Sequence, residues 1–303
     1  MGPWFDKTRN ADYDAIHMTS PILDEPPSQV KSALASLDRL SLLVSFVLVG
    51  LTLSSILDLP SRRIDFSFLG SDANITVSGT WFLALLLAGL TAAGVDSIAR
   101  THPRVHLGEV QYIFILWILP SMIVVAATLV LALSEVRVYG LIGVVVAGAL
   151  LVLVVLGEYI TIDLNDRWYS TARLGINLAV YLAALVLFAT IYSWKVRSLY
   201  SAPAIGIAAG LLALELFRGS EADLGRTWLF AAAVALSIAE FVWALNYWNA
   251  TAFTGGGLLL VFFYALTGVT QQYLWGRLSK FVFVEFSLIT LGAITLLFWW
   301  KPR

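Results

Sequence analysis

Glu240 lies within an apolar run, residues 227–248, that is long enough to cross a bilayer. Burying an ionisable group in such a run costs a few kcal/mol or more, so the residue is a functional candidate from the start. At about 1.5 Å per residue it stands about 18 Å along the run, near the bilayer middle. Ser237, Trp243 and Tyr247 share its face at helical spacing, and the stripe is expected to point into a helix bundle. Gln271, in a later run, is a further intramembrane polar candidate. Two chemistries fit the stripe. Glu240 could bind a proton or a cation, or its carboxyl could hydrogen-bond to a neighbouring helix and serve as a polar link.

A second set of charged residues gathers at one depth. Asp96, Glu158 and Glu215 fall in the last turns of runs expected to cross from outside to inside. There they face the negative end of the helix dipole and need compensation. Arg100, Arg104, Arg167, Arg173 and Arg218 lie at the same level, as do Glu285, Arg277 and Lys280 beside Gln271. An ion-pair network around an inner rim follows. It either fixes the helix ends or forms a cytosolic-face pocket. The loop from Arg100 to His106 holds two of the three histidines, His102 and His106, with Asp96 and Glu109 nearby. Pro103 interrupts any regular helix through both imidazoles, so no metal site is expected. A capped helix start with headgroup-facing histidines is the simpler reading, and it leaves room for a bound lipid or pigment.

Absences narrow the chemistry. There are no cysteines, which removes thiolate zinc sites, iron–sulfur clusters and thiol nucleophiles. No lysine lies in the interior of an apolar run, against a retinal Schiff base, and no histidine does, against bis-histidine haem. A Walker loop, a dinucleotide fingerprint, a nucleophile elbow and an HExxH motif are all missing. No cofactor is expected.

The composition says what must position these groups. Of 303 residues, 59% are hydrophobic and 13% charged, against about 25% charged in a soluble domain. So little charge cannot cover a water-facing surface of this size, and a net charge of −1 offers no field for nucleic acid. The partner is the lipid bilayer. Nine runs approach the roughly 20 residues a spanning helix needs: 39–59, 80–99, 108–133, 138–161, 171–194, 202–217, 227–248, 256–275 and 281–300. The fold class is an all-α integral membrane protein of about nine transmembrane helices. The last two should form a tight antiparallel hairpin. Residues 1–38 form a polar cytosolic arm without a cleavable signal, ending in a short amphipathic helix from Ser28 through Val30, Leu34 and Leu37. Residues 39–303 form the membrane domain.

Between the first two runs, residues 62–79 alternate apolar and polar side chains around Gly70-Ser71-Asp72, the pattern of a small extracytoplasmic β-hairpin. Gly206 and Gly210 make a GxxxG pair, and Thr254-Gly255-Gly256-Gly257 allows close backbone approach. With the N-terminus inside, twelve of the 19 Lys and Arg fall on the inner side and seven on the outer, which favours N-in and C-out. Most tryptophans, among them Trp81, Trp168, Trp194 and Trp275, stand at span ends, where amphipathic rings belong.

Three stretches carry a likeness: Leu59 to Arg62 through Gly79 to Trp81, Ala93 to Asp96 through Arg100 to Pro103, and Phe263-Tyr264 through Gly276 to Ser279. They resemble an uncharacterised family of bacterial multi-pass membrane proteins of the Chloroflexi type, a domain of unknown function. The resemblance implies polytopic architecture and a bacterial cytoplasmic (inner) membrane, and no site residues. The leading functional expectation is a non-catalytic membrane subunit or assembly factor whose partners are other membrane subunits. A proton- or ion-coupled transporter centred on Glu240 is the second. An interfacial lipid-modifying enzyme using Asp96, His102, His106 and Glu158 is the third.

Overall fold

The computed structural model describes residues 28–57, 60–68, 71–107, 113–133, 137–194, 198–218, 224–248 and 250–299. The polar arm before Ser28, Gly70 of the expected turn and Glu109 lie outside them. The helices are α1 (Ser28–Ile56), α2 (Gly79–Ala99), a short α3 (Pro103–His106), α4 (Ile118–Leu131), α5 (Arg137–Ile160), α6 (Tyr169–Ser193), α7 (Ser198–Phe217), α8 (Leu224–Asn246), α9 (Ala252–Leu274) and α10 (Lys280–Trp299). A 3₁₀ turn, Ile113–Trp117, leads into α4. Two strands, β1 (Ser61–Phe68) and β2 (Ser71–Ser78), pair antiparallel between α1 and α2, with Ser61 opposite Ser78 and Phe68 opposite Ser71.

Among the described residues, eight helices are long and apolar enough to cross a membrane. They are α1, α2, the 3₁₀–α4 unit, and α5 through α9. The ninth expected segment is helical too, as α10, but its apolar stretch among the described residues is the shorter Val284–Thr295. α1 runs unbroken from Ser28 into its span, so the expected short leading helix and the first span are one element. Successive spanning helices run antiparallel, which gathers the ends of α2, α5, α7 and α9 at a single rim.

α4 lies between two apolar cores. Val124, with Leu116 of the preceding 3₁₀ turn, joins the core shared with α1, α2 and α5, while Leu119 and Leu129, with Ile115 of that turn, join the core shared with α6 and α7. α4 and α7 are each two-thirds enclosed (67%), against 28% for α8 and 22% for α1, so the last two are peripheral.

Lipid is as apolar as leucine, so which faces meet is decided by shape. The expected GxxxG pair is such a place. A Cβ on Gly206 would stand 3.0 Å from both Ala235 O and Ala239 Cβ, and one on Gly210 2.9 Å from Ala235 Cβ. α7 therefore lies almost backbone to backbone on α8. The glycines before α9's first turn ends do the same against α6: a Cβ on Gly256 would stand 2.6 Å from Ala189 Cα. Tyr192 is buried there, its hydroxyl donating to Leu245 O (3.2 Å) or Trp248 O (3.3 Å).

α9 ends in a Schellman turn. The Gly276 N–H donates to Tyr273 O and the Arg277 N–H to Gln272 O, both at 3.0 Å, with Gly276 at a φ of 66° that suits glycine. The chain then turns into α10, which packs on α9 with the Phe286 ring against Gly268.

Replacing Gly210 with Leu should overpack the α7–α8 contact and cost about 1–3 kcal/mol of stability. Gly175→Leu, on an exposed stretch of α6 with nothing within 4 Å, should change it by less than about 0.5 kcal/mol. Unfolding of both variants in detergent micelles, followed by circular dichroism, measures the difference.

Candidate functional site

Helix ends leave carbonyls without partners, and a carboxylate placed there adds negative charge to a negative pole. The rim answers both demands with arginine. Glu215, in the last turn of α7, is fully buried (0% exposed). Its Oε1 accepts from Arg173 Nη1 of α6 at 3.1 Å. Arg173 Nη2 donates to the Glu215 and Leu216 carbonyls, both at 2.9 Å, and Gln271 Nε2 of α9 joins on Leu216 O at 3.0 Å. Arg218, one residue past α7, places Nη2 2.7 Å from Glu158 Oε2 of α5 and 3.3 Å from Glu215 Oε1, and donates to Thr161 Oγ1 at 3.0 Å.

Two carboxylates, two guanidiniums and the Gln271 amide thus tie together the ends of four helices. Glu158 Oε1 and Glu215 Oε2 are buried without a hydrogen-bond partner. Burial alone works against the Arg218 charge. The adjoining Glu158 and Glu215 carboxylates outweigh it and hold the guanidinium above its ordinary pKa.

A more open arc of the rim links two loops. Asp96 pairs with Arg100 one turn later at 2.7 Å, and Arg104 Nη2 reaches Asp163 Oδ1 at 2.9 Å. Arg39 of α1 donates to the carbonyl and the hydroxyl of Ser97, at 2.6 and 2.9 Å. His102 caps α3, its Nδ1 accepting from the Arg104 N–H at 3.3 Å ahead of Pro103 at the first helical position. Its ring meets Tyr159 edge-on, centroids 4.9 Å apart. Burial pushes its pKa below the ordinary value, against Asp163, which pulls it up. The side chain of His106 lies outside the description. Among the described residues no group of three His, Asp or Glu comes together.

The rim gathers Asp96, Arg100, Arg104, Glu158, Glu215 and Gln271. Glu285 and Arg277 are exposed and have no described ion pair with them. Asp163 and Thr161 are partners that the sequence reading missed; the signal was polar residues at rim depth between Glu158 and Arg167.

The Glu240 stripe is where the structure overturns the expectation. Glu240, Trp243 and Tyr247 are exposed on the outside of the bundle, and Ser237 sits half-buried at the edge of that face. The buried face of α8 is Ala231, Val234, Ile238, Val242 and Leu245. Two residues beyond Ile238 is about 200° around a helix of 3.6 residues per turn. The small residues that α7's glycines require took the inner face, and the carboxyl was turned outward.

Along α8, Glu240 lies five residues past the helix midpoint and six residues, about 9 Å, from the helix end at Asn246. No described side chain of the chain pairs with it. Gln271, by contrast, is drawn inward to the rim, and Thr267 and Tyr181 share a hydrogen bond at 3.3 Å one turn deeper.

Residues 59–300 match the family model described as "Protein of unknown function (DUF5656)". No curated protein and no solved structure matches the chain.

Arg218→Ala should destabilise the protein by about 3–5 kcal/mol, because it strands a buried carboxylate. Arg218→Met combined with Glu158→Leu should recover most of that loss, since an apolar pair leaves no charge unmet; thermal unfolding in detergent tests both. His102 sets a pH dependence. Its folded pKa lies below the unfolded 6.5, so the unfolded chain binds the proton more readily. Stability should fall as pH drops through about 6.5 and level off below the folded value. His102→Asn, which keeps a cap acceptor without titrating there, should flatten that part of the profile.

Proposed function

We propose that this chain, which belongs to the DUF5656 family of unknown function, works as a non-catalytic subunit that builds a larger membrane assembly by lateral helix packing. The observation that carries the reading is Glu240. A carboxyl on the lipid-facing side of a spanning helix is unfavourable where it stands, and a partner helix covering it removes that cost. Trp243 and Tyr247 beside it are 49% and 89% exposed, large side chains suited to anchoring a partner. The rim supports the reading from the other side. Glu158 and Glu215 there are enclosed and matched by arginine, an arrangement that fixes helix ends.

In this reading all nine helices cross, with the N-terminus inside and the C-terminus outside a bacterial cytoplasmic membrane. The β1–β2 hairpin lies on the outer face, as a second contact for the partner.

Extraction in a gentle detergent, followed by size exclusion with light scattering, tests the assembly. The wild-type chain should carry a fixed protein mass above that of one chain, and Glu240→Leu should shift the mass toward one chain. A monodisperse single chain from the wild type sinks the reading. A pH-dependent flux in proteoliposomes that Glu240→Gln abolishes would replace it with a carrier.

A further inference from the structure

Where α4, α5 and α6 meet, small side chains leave a hole. α5 presents Gly143, Ala147 and Leu150 on one face, at the spacing of successive helical turns. Opposite them stand Ala126 and Ala127 of α4 and Ala183 of α6. On α7 small residues bring two backbones into contact. Here α5 and α6 approach at the rim end, where a Cβ on Gly157 would stand 3.4 Å from Ile176 Cγ1. Farther from the rim a cavity of about 300 Å³ separates them, with α4 as its back wall. At the last turn of α4 the cavity closes, and a Cβ on Gly143 would stand 3.0 Å from Leu131 Cδ2. Ile123, Ala126 and Ala183 in its floor are buried, while Val130, Val146 and Leu182 at its lip are exposed. It therefore opens sideways, toward the bilayer.

Size and chemistry select the occupant. Every described side chain that lines the cavity is apolar. Water finds no hydrogen-bond partner there, and an apolar cavity left empty costs stability in proportion to its volume. A cavity of roughly 150 Å³ already takes up benzene. From Ile123 to Leu131 the lining follows α4 for eight residues, about 12 Å. One leaflet of a hydrocarbon core about 30 Å thick is about 15 Å deep. Spread over that length, the volume leaves a cross-section of about 25 Å². This is too narrow for a helix, about 10 Å across with its side chains, and suits one extended hydrocarbon chain. We propose that the cavity holds one acyl chain of a bilayer lipid, drawn from the leaflet opposite the rim and kept as a fixed part of the fold. The acyl chain lies along the helices, over Ala126 and between Val146 and Leu182. It supplies the packing that α4, α5 and α6 do not give one another. The site shares no residue with the outer face of α8, so it stands whatever covers Glu240.

The test reads which residues a lipid tail can touch. The full chain is reconstituted in vesicles of phosphatidylcholine that carries a photoreactive group in its acyl chain. After illumination the labelled peptides are mapped by mass spectrometry. Ala126 and Ala183, buried behind the lip, should be labelled; a tail that only laps the protein surface reaches Val146 and Leu182 and stops there. Ala147→Phe fills the cavity and should abolish labelling of Ala126, leaving that of Leu229, exposed on α8, unchanged. Cooperative unfolding in detergent checks that the variant folds. Where it does not, Ala147→Val is the milder filling and should weaken the labelling of Ala126 in the same direction. Labelling confined to the lip and other outward residues of the wild type overturns the proposal, as does floor labelling that the filling variant leaves intact. An isoprenoid extracted from the purified chain in a one-to-one ratio, with the floor unlabelled by the phospholipid, overturns the acyl chain as occupant.

Discussion

A helix in lipid gains little by hiding an apolar side, because the solvent is as apolar as the core. What brings two helices together is close fit and the need of polar groups for partners. In this bundle the governing contact is the approach of α7 to α8, where Gly206 and Gly210 accept the alanines of α8 with almost no intervening side chain. That contact fixes the rotation of α8 about its own axis. Once Ala231 and Ala235 are turned inward, Glu240 can only look outward. The most distinctive group on the surface is a consequence of the tightest fit in the interior.

The chain treats its acidic residues in two opposite ways. Glu158 and Glu215 are enclosed and matched by Arg173 and Arg218; Arg173 also takes up the last carbonyls of α7, where Gln271 joins from α9. Four helix ends are thereby held to one network. Removing any member leaves a buried charge, so the cluster is rigid by construction. Glu240 has no such counter-charge within the described chain. The first arrangement is a finished structure. The second is an acidic side chain on the outer face of α8, set there by the packing of the opposite face.

Several features were legible because they rest on composition or local spacing. The spans follow from run length, and the rim pairs from opposite charges at equal depth, as with Asp96 and Arg100 one turn apart. The capped helix start was readable from Pro103, which is favoured in the first turn of a helix. Other features were not. Asp163 reaches Arg104 across two loops, and nothing in either loop announces the other. The direction of the Glu240 stripe was misread for a physical reason: the rule that polar groups face the bundle holds only where no stronger packing demand competes, and here alanine and glycine competed.

The sequence by itself determined that a bilayer is the solvent, where the helices lie, and that acids and arginines share one rim. These depend on residue type and on distance along the chain, which a string of residues contains. Only the tertiary structure decided which face of each helix is inside. In water a polar side chain marks the outer face. In lipid both faces are apolar, and rotation is set by the shapes of helices distant in the chain, which must be in place before a glycine meets its alanine.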